Sequence, residues 1–343
     1  MHLVQRHTRF LMPHPFIRAA AVMTAALAAV LLSASPVSAQ NIPGGTVALM
    51  VPYPAGGPSD VIARVFNTPL GRELGVPVMV ENLGGVSGAL GAQKVLSAPA
   101  DGHFLYQGSP NEVILSPLAN AAVKFDAEDF QQVQLIAYAP MVVVAKKELA
   151  AANMDELITL ARNAPKDKPL NYGSVGIGSL YHVLSEHLGQ VIKAPMTHVP
   201  YKGVAPMLQD LAGGNLDYAI LPQFGAIDGM VAAGRVKVLG QLGASRAESL
   251  KNLPTVTEGK LLKDFNFTVW SGYMVKKGTP PEMMQKLQKA IQAVLTDPKV
   301  RESLGAQFQI VAKPMSLDES AKFYAVEAAS YRKLAKAVGI ERQ

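Results

Sequence analysis

The chain has 343 residues, 49% of them hydrophobic, and is therefore long enough to bury the cores of two domains of ordinary size. It contains no cysteine, which excludes disulfides, thioether lipid anchors and thiolate catalysis. The formal net charge is +6 and the basic residues form no run or aromatic-interleaved patch, so nucleic-acid binding has little support.

The N-terminal 39 residues predict a secretory signal peptide. Three arginines form a basic front, an almost wholly apolar run covers 19–32, and Val37-Ser38-Ala39 resembles an A-x-A cleavage site. A membrane anchor is the alternative, but the apolar run is shorter than the ~20 residues that span a bilayer. Without those arginines, the chain has 29 basic and 26 acidic residues, which gives a net charge of +3. We therefore expect an exported, soluble protein.

A strand, a glycine loop and a helix N-terminus come first in the mature chain. Val47–Val51 reads as a buried strand, Gly56 and Gly57 lie in the loop, and Ser59 or Asp60 is predicted to cap the helix. Unpaired N–H groups and the helix dipole make such a turn an anion site. A plain βα turn is the alternative, and Asp60 could instead orient the loop amides or a bound water.

The following segments alternate short apolar strands with helices, which predicts βαβ units and a parallel sheet. Pro69 should kink or shorten the first helix. Loops that begin at Tyr53, Asn82 and Gly108 each follow a strand. We therefore expect them at the carboxyl ends of the strands, where ligands bind in sheets of this kind.

A second glycine loop, 171–179, repeats the strand–loop–helix pattern, with Ser179 as the predicted cap. We expect two facing helix N-termini, each holding one end of a small dianion. His182 lies in the first turn of the second helix, where its ring could donate to a carboxylate. A surface histidine is the alternative.

Two long strands, 135–145 and 267–275, are predicted to cross between domains. Trp270 lies on the second of them and is expected to pack in the core rather than to form a ligand wall. Thr279 is the predicted cap of a helix that begins at Pro280, and from there to its end the chain is predicted to be helical, around 284–295, 300–304 and 316–336.

No nucleotide fingerprint, P-loop or nucleophile elbow occurs, and we expect no cofactor. His182, Glu186 and His187 match no zinc motif, so no metal site is predicted. An exported α/β hydrolase using serine or histidine with aspartate is an alternative function. Ser179 and His182 share one helix turn, however, which is a poor arrangement for proton abstraction.

Several short motifs, in order and with their spacing, resemble one family. The chain is similar to the substrate-binding proteins of tripartite tricarboxylate transporters, the Bug family of periplasmic solute receptors. The motifs extend over nearly the whole mature chain, and they are Val51–Asp60 followed by Val61–Arg64, Val80–Asn82, Ala100–Gly102, Gly173–Ser179 with His182, Val199–Gly203 and Gly278–Pro280.

The resemblance implies an α/β, two-lobed Venus-flytrap receptor whose lobes each contain a mainly parallel sheet flanked by helices. Lobe 1 would comprise 40–144 and 269–343, and lobe 2 would comprise 145–268, with two crossovers. It also implies a monomer in a Gram-negative periplasm, without enzymatic activity. A small organic anion (a di- or tricarboxylate, an amino acid or an aromatic acid) would be caught in the cleft and passed to the inner-membrane permease subunits.

The resemblance also implies ligand contacts from both lobes. Glu112 departs from the family pattern, could add a negative charge near the cleft, and leaves room for a zwitterion, an amide or a less charged ligand. A receptor that signals to a membrane sensor instead of transporting is a further alternative. The implied contacts are Tyr53, Ala55, Gly56, Gly57, Ser59, Asp60 and Ser109 in lobe 1, and Ser174, Gly178, Ser179, His182 and Tyr201 in lobe 2.

Overall fold

The structure is a computed structural model that describes residues 45–342, so the predicted signal peptide lies outside the described residues. Within this range, no helix combines the length and apolar character needed to cross a membrane. The strands are β1 (Val47–Val51), β2 (Val78–Asn82), β3 (Phe104–Gly108), β4 (Phe130–Lys146), β5 (Leu170–Ser174), β6 (Met196–Pro200), β7 (Tyr218–Pro222), β8 (Val236–Gln241), β9 (Thr268–Lys276) and β10 (Ile310–Val311).

Helices connect and cover the strands. A π-helical turn, Asn111–Leu115, leads into the short third helix, and single 3₁₀ turns occur at Val86–Gly88, Ala127–Asp129 and Glu248–Leu250. The α-helices are α1 (Pro58–Leu74), α2 (Ala89–Ser97), α3 (Ser116–Ala119), α4 (Met154–Asn163), α5 (Leu180–Ile192), α6 (Val204–Ala212), α7 (Gly225–Ala232), α8 (Pro281–Thr296), α9 (Pro298–Gly305) and α10 (Leu317–Val338).

The strands form a mixed sheet in the order β2-β1-β3-β9-β4-β7-β5-β6, and β8 and β10 also pair with β4. Two groups are parallel, β2-β1-β3 and β6-β5-β7, as the βαβ pattern predicts. The long strands β4 and β9 join these groups through antiparallel pairs. We call the part built on β1–β3 lobe 1 and the part built on β5–β7 lobe 2.

Strand β4 runs continuously from one lobe into the other. Its residue Pro140 pairs with Thr268 of β9, whereas the next residue, Met141, pairs with Pro222 of β7. β9 itself begins at Thr268. These pairings show where the sheet changes lobe, and the predicted boundaries at 144/145 and 268/269 stay predictions.

Helix starts agree with the sequence pattern in lobe 2 but not at α1. Ser179 caps α5 by accepting the N–H of His182 at 3.3 Å, as predicted. At α1 the cap residue is Gly57, so the predicted cap by Ser59 or Asp60 is wrong. Both of those residues already lie inside the first turn, because Pro58 takes the first helical position, which its fixed φ favours.

Two other predictions near prolines differ from the structure. Pro69 does not shorten α1, which continues to Leu74 because a buried face holds the helix against the core despite the missing hydrogen bond, while a kink at Pro69 stays a prediction. α8 begins at Pro281 with Pro280 as its cap, and the Thr279 hydroxyl instead donates to the Lys276 carbonyl at 2.8 Å. The three helical stretches predicted for the C-terminal part are confirmed as α8, α9 and α10, and the short strand β10, which was not predicted, lies between α9 and α10.

The core of lobe 1 packs α1 against the sheet through aromatic side chains. The Phe66 ring is fully buried and meets Tyr273 of β9 edge to face, with 5.3 Å between ring centroids. This contact holds α1, and therefore its N-terminus, against the crossover strand.

We expect Phe66→Ala to lower the free energy of unfolding by about 3–5 kcal/mol, because it leaves a cavity in the core. Denaturant unfolding of the mature protein measures this change. Met79→Ala is the control: Met79 is 57% exposed, so its truncation should cost less than about 0.5 kcal/mol. Equal losses in the two variants would contradict the described packing of α1.

Candidate functional site

The N-terminus of α1 lies where both lobes meet. Pro58 has no N–H, and the first intrahelical hydrogen bond runs from Val61 N–H to the Gly57 carbonyl at 3.1 Å. The amides of Ser59 and Asp60 therefore precede the intrahelical ladder. With the positive end of the helix dipole, they form a suitable site for an anion.

A buried carboxylate positions the loop before α1. Asp60 is 3% exposed and accepts hydrogen bonds from Gly56 N–H at 2.9 Å, Arg64 Nε at 2.9 Å and Asn82 Nδ2 at 3.1 Å. Burial raises the pKa of Asp60, but the hydrogen bonds from Arg64, Gly56 and Asn82 outweigh it, and the pKa lies below its usual value. Asp60 thus orients a loop amide, which was the alternative to capping. The Gly56 N–H is committed to Asp60, while Ala55 and Gly56 lie exposed.

A second buried carboxyl lies beneath the cleft. Glu112 is fully buried and accepts hydrogen bonds from the Ser109 N–H, the Ser109 hydroxyl at 2.9 Å and the Tyr53 hydroxyl at 3.0 Å. Burial raises the pKa of Glu112 to about 8, although these hydrogen bonds act in the opposite direction. Glu112 is therefore mainly neutral at pH 7, and the negative charge expected from it near the cleft is not supplied.

A side chain of lobe 1 occupies the N-terminus of α5. Asn111 Oδ1 accepts the N–H of Leu180, the first residue of α5, at 2.6 Å. The Asn111 amide also donates to the Ser109 hydroxyl at 3.0 Å. The two helix N-termini do meet at one cleft, but the first amide of α5 is already hydrogen-bonded to the protein.

Glycines allow the lobes to approach closely. The Ser87 hydroxyl donates to the Ile177 carbonyl of the opposite lobe at 2.7 Å. A Cβ on Gly176 would lie 2.5 Å from the Ser87 Oγ, and one on Gly178 would lie 2.2 Å from the Ala119 Cβ. Both glycines also have positive φ, so the second glycine loop is shaped for this contact.

Two histidines support the second glycine loop through hydrogen bonds. His182 Nδ1 accepts the Gly178 N–H at 3.1 Å, and His198 Nε2 lies 2.6 Å from the Ser174 hydroxyl, which also accepts the Gly176 N–H. The two rings stack with 4.2 Å between centroids. Burial lowers the pKa of His182, and burial together with His182 lowers the pKa of His198 to about 4. Both rings are therefore neutral at pH 7, as an accepting Nδ1 requires.

Three predicted contacts of lobe 2 are engaged within the protein. Ser174 and Ser179 are fully buried, the first in the histidine network and the second as the α5 cap. The Tyr201 N–H donates to the Ser174 carbonyl at 2.8 Å, and its hydroxyl donates to Asp210 at 2.7 Å. These groups support the loop, and their direct contact with a ligand stays a prediction.

Two small cavities lie between the lobes, of about 30 Å³ and 10 Å³, with room for one or two water molecules. Pro58, Ser59 and Tyr181 line both of them. Four of the twelve predicted contacts lie at these cavities, namely Tyr53, Gly57, Ser59 and Ser109. The other eight do not line them, and they are Ala55, Gly56, Asp60, Ser174, Gly178, Ser179, His182 and Tyr201.

The cavity walls include residues that the sequence did not single out as contacts. Tyr181 follows the predicted cap, Ser179, by two positions. Its position in the first turn of the helix could therefore have identified it as a cleft residue from the sequence. Gln309 comes from the C-terminal part and reaches the cleft through tertiary packing, for which no local pattern exists. Trp270 is 2% exposed, as expected for a core residue, and it also lines the larger cavity.

The walls of these two cavities contain no acidic or basic side chain among the described residues. Polar groups there are neutral, chiefly Ser59, Ser109, Asn111, Ser271 and Gln309. An anion would therefore be bound by hydroxyls, amides and the helix N-terminus rather than by a cation.

The described residues offer a Ser–His contact, but no complete hydrolytic triad. Ser174 is fully buried, and no carboxylate among residues 45–342 is bonded to the ring of His198. Nucleophilic catalysis needs an accessible serine and a base oriented by a third group. The geometry therefore gives the hydrolase alternative no support.

We expect Glu112→Gln to flatten the pH dependence of stability between pH 5 and 8. The unfolded Glu112 ionises near its ordinary pKa of 4.5 whereas the folded one ionises at about 8, so rising pH favours unfolding in this range. The slope from this group is at most about 1.4 kcal/mol per pH unit. Urea unfolding of both proteins at several pH values measures it, and parallel curves would contradict the neutral state of Glu112.

Sequence comparisons identify relatives over most of the chain. Residues 62–340 match the model of the tripartite tricarboxylate transporter family receptor, TctC. The "UPF0065 protein in the TAR-I ttuE-ttuC' intergenic region" of Agrobacterium vitis is 35% identical over 313 residues, 88% of each chain. Protein BugT of Bordetella pertussis is 30% identical over 299 residues, which cover 86% of this chain and 89% of BugT.

Solved structures of related proteins have the same fold over most of the chain. Rpa4515 of R. palustris with adipate has a TM-score of 0.81 at 29% identity, covering 88% of this chain and 99% of that one. MatC (Rpa3494) of Rhodopseudomonas palustris with bound malate has a TM-score of 0.79 at 26% identity, covering 85% and 99%. The two-lobed α/β fold class and the absence of enzymatic function, both expected from the sequence, are thereby confirmed. The chain belongs to the tripartite tricarboxylate transporter receptor family and is a Bug-type periplasmic solute-binding protein.

Proposed function

We propose that this receptor binds a small organic acid between its lobes, with a carboxylate at the N-terminus of α1, and delivers it to a tripartite tricarboxylate transporter permease. The observation that carries the proposal is the position of Ser59 at both interlobe cavities, beside the first amides of α1. The malate and adipate bound to two relatives support a carboxylate as the ligand.

We infer a ligand with one carboxylate rather than two. Asn111 Oδ1 takes the Leu180 N–H, so a second carboxylate at α5 would have to displace it or face its partial negative charge. No basic side chain lines the described cavities to compensate that charge. No acidic side chain lines them either, which disfavours the ammonium group of an amino acid.

The remainder of the ligand should be apolar. Ile62, Ala139, Val269 and Trp270 line the larger cavity around the polar group at α1. Apolar walls with a few placed polar groups are typical of small-molecule sites. An aromatic or aliphatic monocarboxylic acid fits this lining best.

Binding requires the lobes to part. The cavities hold only one or two waters, so an organic acid enters by separating Asn111 from Leu180 and Ser87 from Ile177. After entry the lobes close around the ligand, less tightly than in this structure because the cavities must enlarge to hold it. We propose 40–144 with 269–343, and 145–268, as the two bodies that move.

Direct contacts in this proposal come from the four predicted residues at the cavities, and Asn111 and Tyr181 join them. Supporting roles fall to the residues that hold the two loops. Asp60 acts through Gly56, His182 through Gly178 and Ser174 through Gly176, and Ser179 caps α5. Ala55 and Tyr201 would contact a ligand only after a change of loop conformation.

The family match supports the proposed delivery to a permease. We propose that a cleavable signal peptide takes the chain to the periplasm, where it acts as a monomer. A receptor that signals would close in the same way as one that transports. The two roles predict different phenotypes when the gene is deleted. Deleting the gene should abolish uptake of the acid, whereas loss of gene induction with normal uptake would favour the sensor.

We expect Gly57→Val to weaken carboxylate binding at least roughly tenfold without unfolding the protein. Gly57 has φ −82° and a Cβ there would meet only the Pro54 carbonyl at 3.7 Å, so the fold tolerates the valine, which then enters the smaller cavity. Isothermal titration of the mature protein against monocarboxylic acids measures the affinity. Gly229→Val on α7, where a Cβ has no neighbour within 4 Å, is the control. Wild-type affinity in folded Gly57→Val would contradict the site, as would the absence of binding by any small organic acid.

We expect the wild type to bind hexanoate more tightly than adipate, which has the same chain length and a second carboxylate. Asn111→Ala frees the Leu180 N–H and should shift the affinity ratio toward adipate by roughly tenfold, the effect of one hydrogen bond to a charged group. Asn163→Ala, at an exposed position on α4, is the matched control. A wild-type preference for adipate that Asn111→Ala leaves unchanged would exclude the single-carboxylate proposal.

A further inference from the structure

The Ser109 hydroxyl connects the larger interlobe cavity with the buried Glu112 carboxyl. Ser109 lines this cavity and is only partly buried, and its Oγ lies 2.9 Å from Glu112 Oε2. The Asn111 amide and the Asn111 backbone N–H donate to the same Oγ at 3.0 Å and 3.3 Å. A serine hydroxyl has one hydrogen to donate. What Ser109 offers to the cavity therefore depends on whether that hydrogen points to Glu112.

The charge state of Glu112 decides the direction of this hydrogen. An ionised carboxylate only accepts hydrogen bonds, so the Ser109 and Tyr53 hydroxyls both donate to it. A protonated carboxyl has an O–H of its own, which is buried here and needs an acceptor. The Ser109 N–H is a donor only, so the acceptors bonded to this carboxyl among the described residues are the two hydroxyl oxygens. Protonation of Glu112 therefore reverses one of these two hydrogen bonds.

The reversed hydrogen bond is the one to Ser109. Among residues 45–342, the Tyr53 hydroxyl is bonded to Glu112 alone, and it lies inside lobe 1 next to Gly88, where a Cβ would be 3.4 Å from it. If Tyr53 accepted from Glu112, its own hydrogen would be buried without an acceptor, which is costly. Ser109 faces the cavity instead, and its freed hydrogen can donate to a water or a ligand there.

A bound anion needs such a donor in the larger cavity. No acidic or basic side chain of the described range lines this cavity, so hydroxyls and the first amides of α1 would have to hold a carboxylate. With Glu112 ionised, Ser109 would present only its oxygen lone pairs to the ligand. A second negative charge would also lie one hydroxyl away from the carboxylate. Both effects disfavour the binding of an anion.

We propose that the ligand carboxylate binds together with one proton held on Glu112, a positioning residue that makes Ser109 a donor to the anion. This coupling rests on the proposed function and adds to it that the receptor takes up its ligand as an anion and a proton. By linkage, the bound ligand strengthens proton binding by the same factor by which the proton strengthens ligand binding.

The other titratable groups that face Glu112 do not change charge near neutral pH. They are tyrosines from four parts of the fold, and burial raises the pKa of each above its ordinary value. These are Tyr53 after β1, Tyr106 on β3, Tyr181 on α5 and Tyr324 on α10.

The remaining neighbours of the π-helical turn add no charge beside Glu112. The 3₁₀ turn Val86–Gly88 and helix α3 contain no titratable side chain. Lys94 of α2 and Arg332 of α10 are paired at the surface, with Glu81 and Glu128 respectively. A pH dependence of binding near pH 8 would therefore report the proton on Glu112.

Isothermal titration of the mature wild-type protein with hexanoate, from about pH 6.5 to about pH 9.5, tests the coupling. The pKa of Glu112 is about 8, so the affinity should be nearly constant below about pH 7 and should fall above pH 8, by at most about tenfold per pH unit. Near pH 8.5, titrations in two buffers of different ionisation enthalpy should show uptake of roughly 0.5–1 proton per hexanoate. Hexanoate itself stays ionised throughout this range.

Two variants separate the proton from packing. Glu112→Gln is neutral at every pH and its amide can still donate to Ser109, so its hexanoate affinity should not vary with pH in this range. Ser109→Ala should weaken binding at pH 7 at least roughly tenfold, because it removes a hydrogen bond to a charged group. Ser116→Ala is the matched control and should keep the wild-type affinity, since the buried Ser116 hydroxyl donates to the Val86 carbonyl at 3.0 Å and lines neither interlobe cavity.

A wild-type affinity that is constant over this pH range, without proton uptake, would overturn the coupling and leave the proposed function intact. An equal pH dependence in the wild type and in Glu112→Gln would do the same. If Glu112→Gln does not fold, the proton count of the wild type still decides. Failure of hexanoate and of every other small organic acid to bind near pH 6.5 would instead contradict the proposed function, and the coupling with it.

Discussion

The buried carboxylate of Asp60 is the constraint on which the binding site depends. Three donors from different parts of lobe 1 converge on it: the Gly56 amide in the loop, Arg64 one turn along α1, and Asn82 at the end of β2. Without these donors the Asp60 carboxylate would be left buried and unpaired, so the network favours one conformation of the loop. The first amides of α1 thereby face the cleft.

The described side chains that line the cleft carry no charge. Glu112, which the sequence suggested as a source of charge, is buried and protonated, and it positions Ser109 and Tyr53 from beneath. Asn111, beside it, crosses to lobe 2 and occupies the start of α5. Two adjacent residues of the π-helical turn thus determine both the charge of the cleft and the number of helix N-termini open to a ligand. In the proposed function, this arrangement would select a ligand by its shape and by one carboxylate rather than by ion pairs.

Local patterns predicted much of the fold and only part of the site. β1 was predicted with its observed bounds, and Ser179 was correctly identified as a cap, because strand hydrophobicity and capping depend on adjacent residues. The start of α1 was misplaced because Ser59 and Asp60 are good capping residues, and the proline before them decided the register instead. Asn111 on Leu180 is a contact over 69 residues that depends on how the lobes meet.

Local patterns also could not predict the details of the crossover strand and of the C-terminal part. The change of partner along β4, and the short strand β10 that pairs beside it, depend on tertiary neighbours rather than on periodicity. The resemblance to the family supplied the two-lobed architecture, and the family match confirmed it. Residue-level contacts in the cleft needed coordinates, because side chains such as Gln309 reach it from distant segments.

A crystal structure of the mature protein grown with a bound monocarboxylic acid tests the central claim most directly. We expect both carboxylate oxygens within about 3 Å of donors at the start of α1, the Ser59 and Asp60 amides among them, and no carboxylate at the start of α5. A ligand whose carboxylate lies at α5, with Asn111 displaced, or one bound outside the cleft, would contradict it.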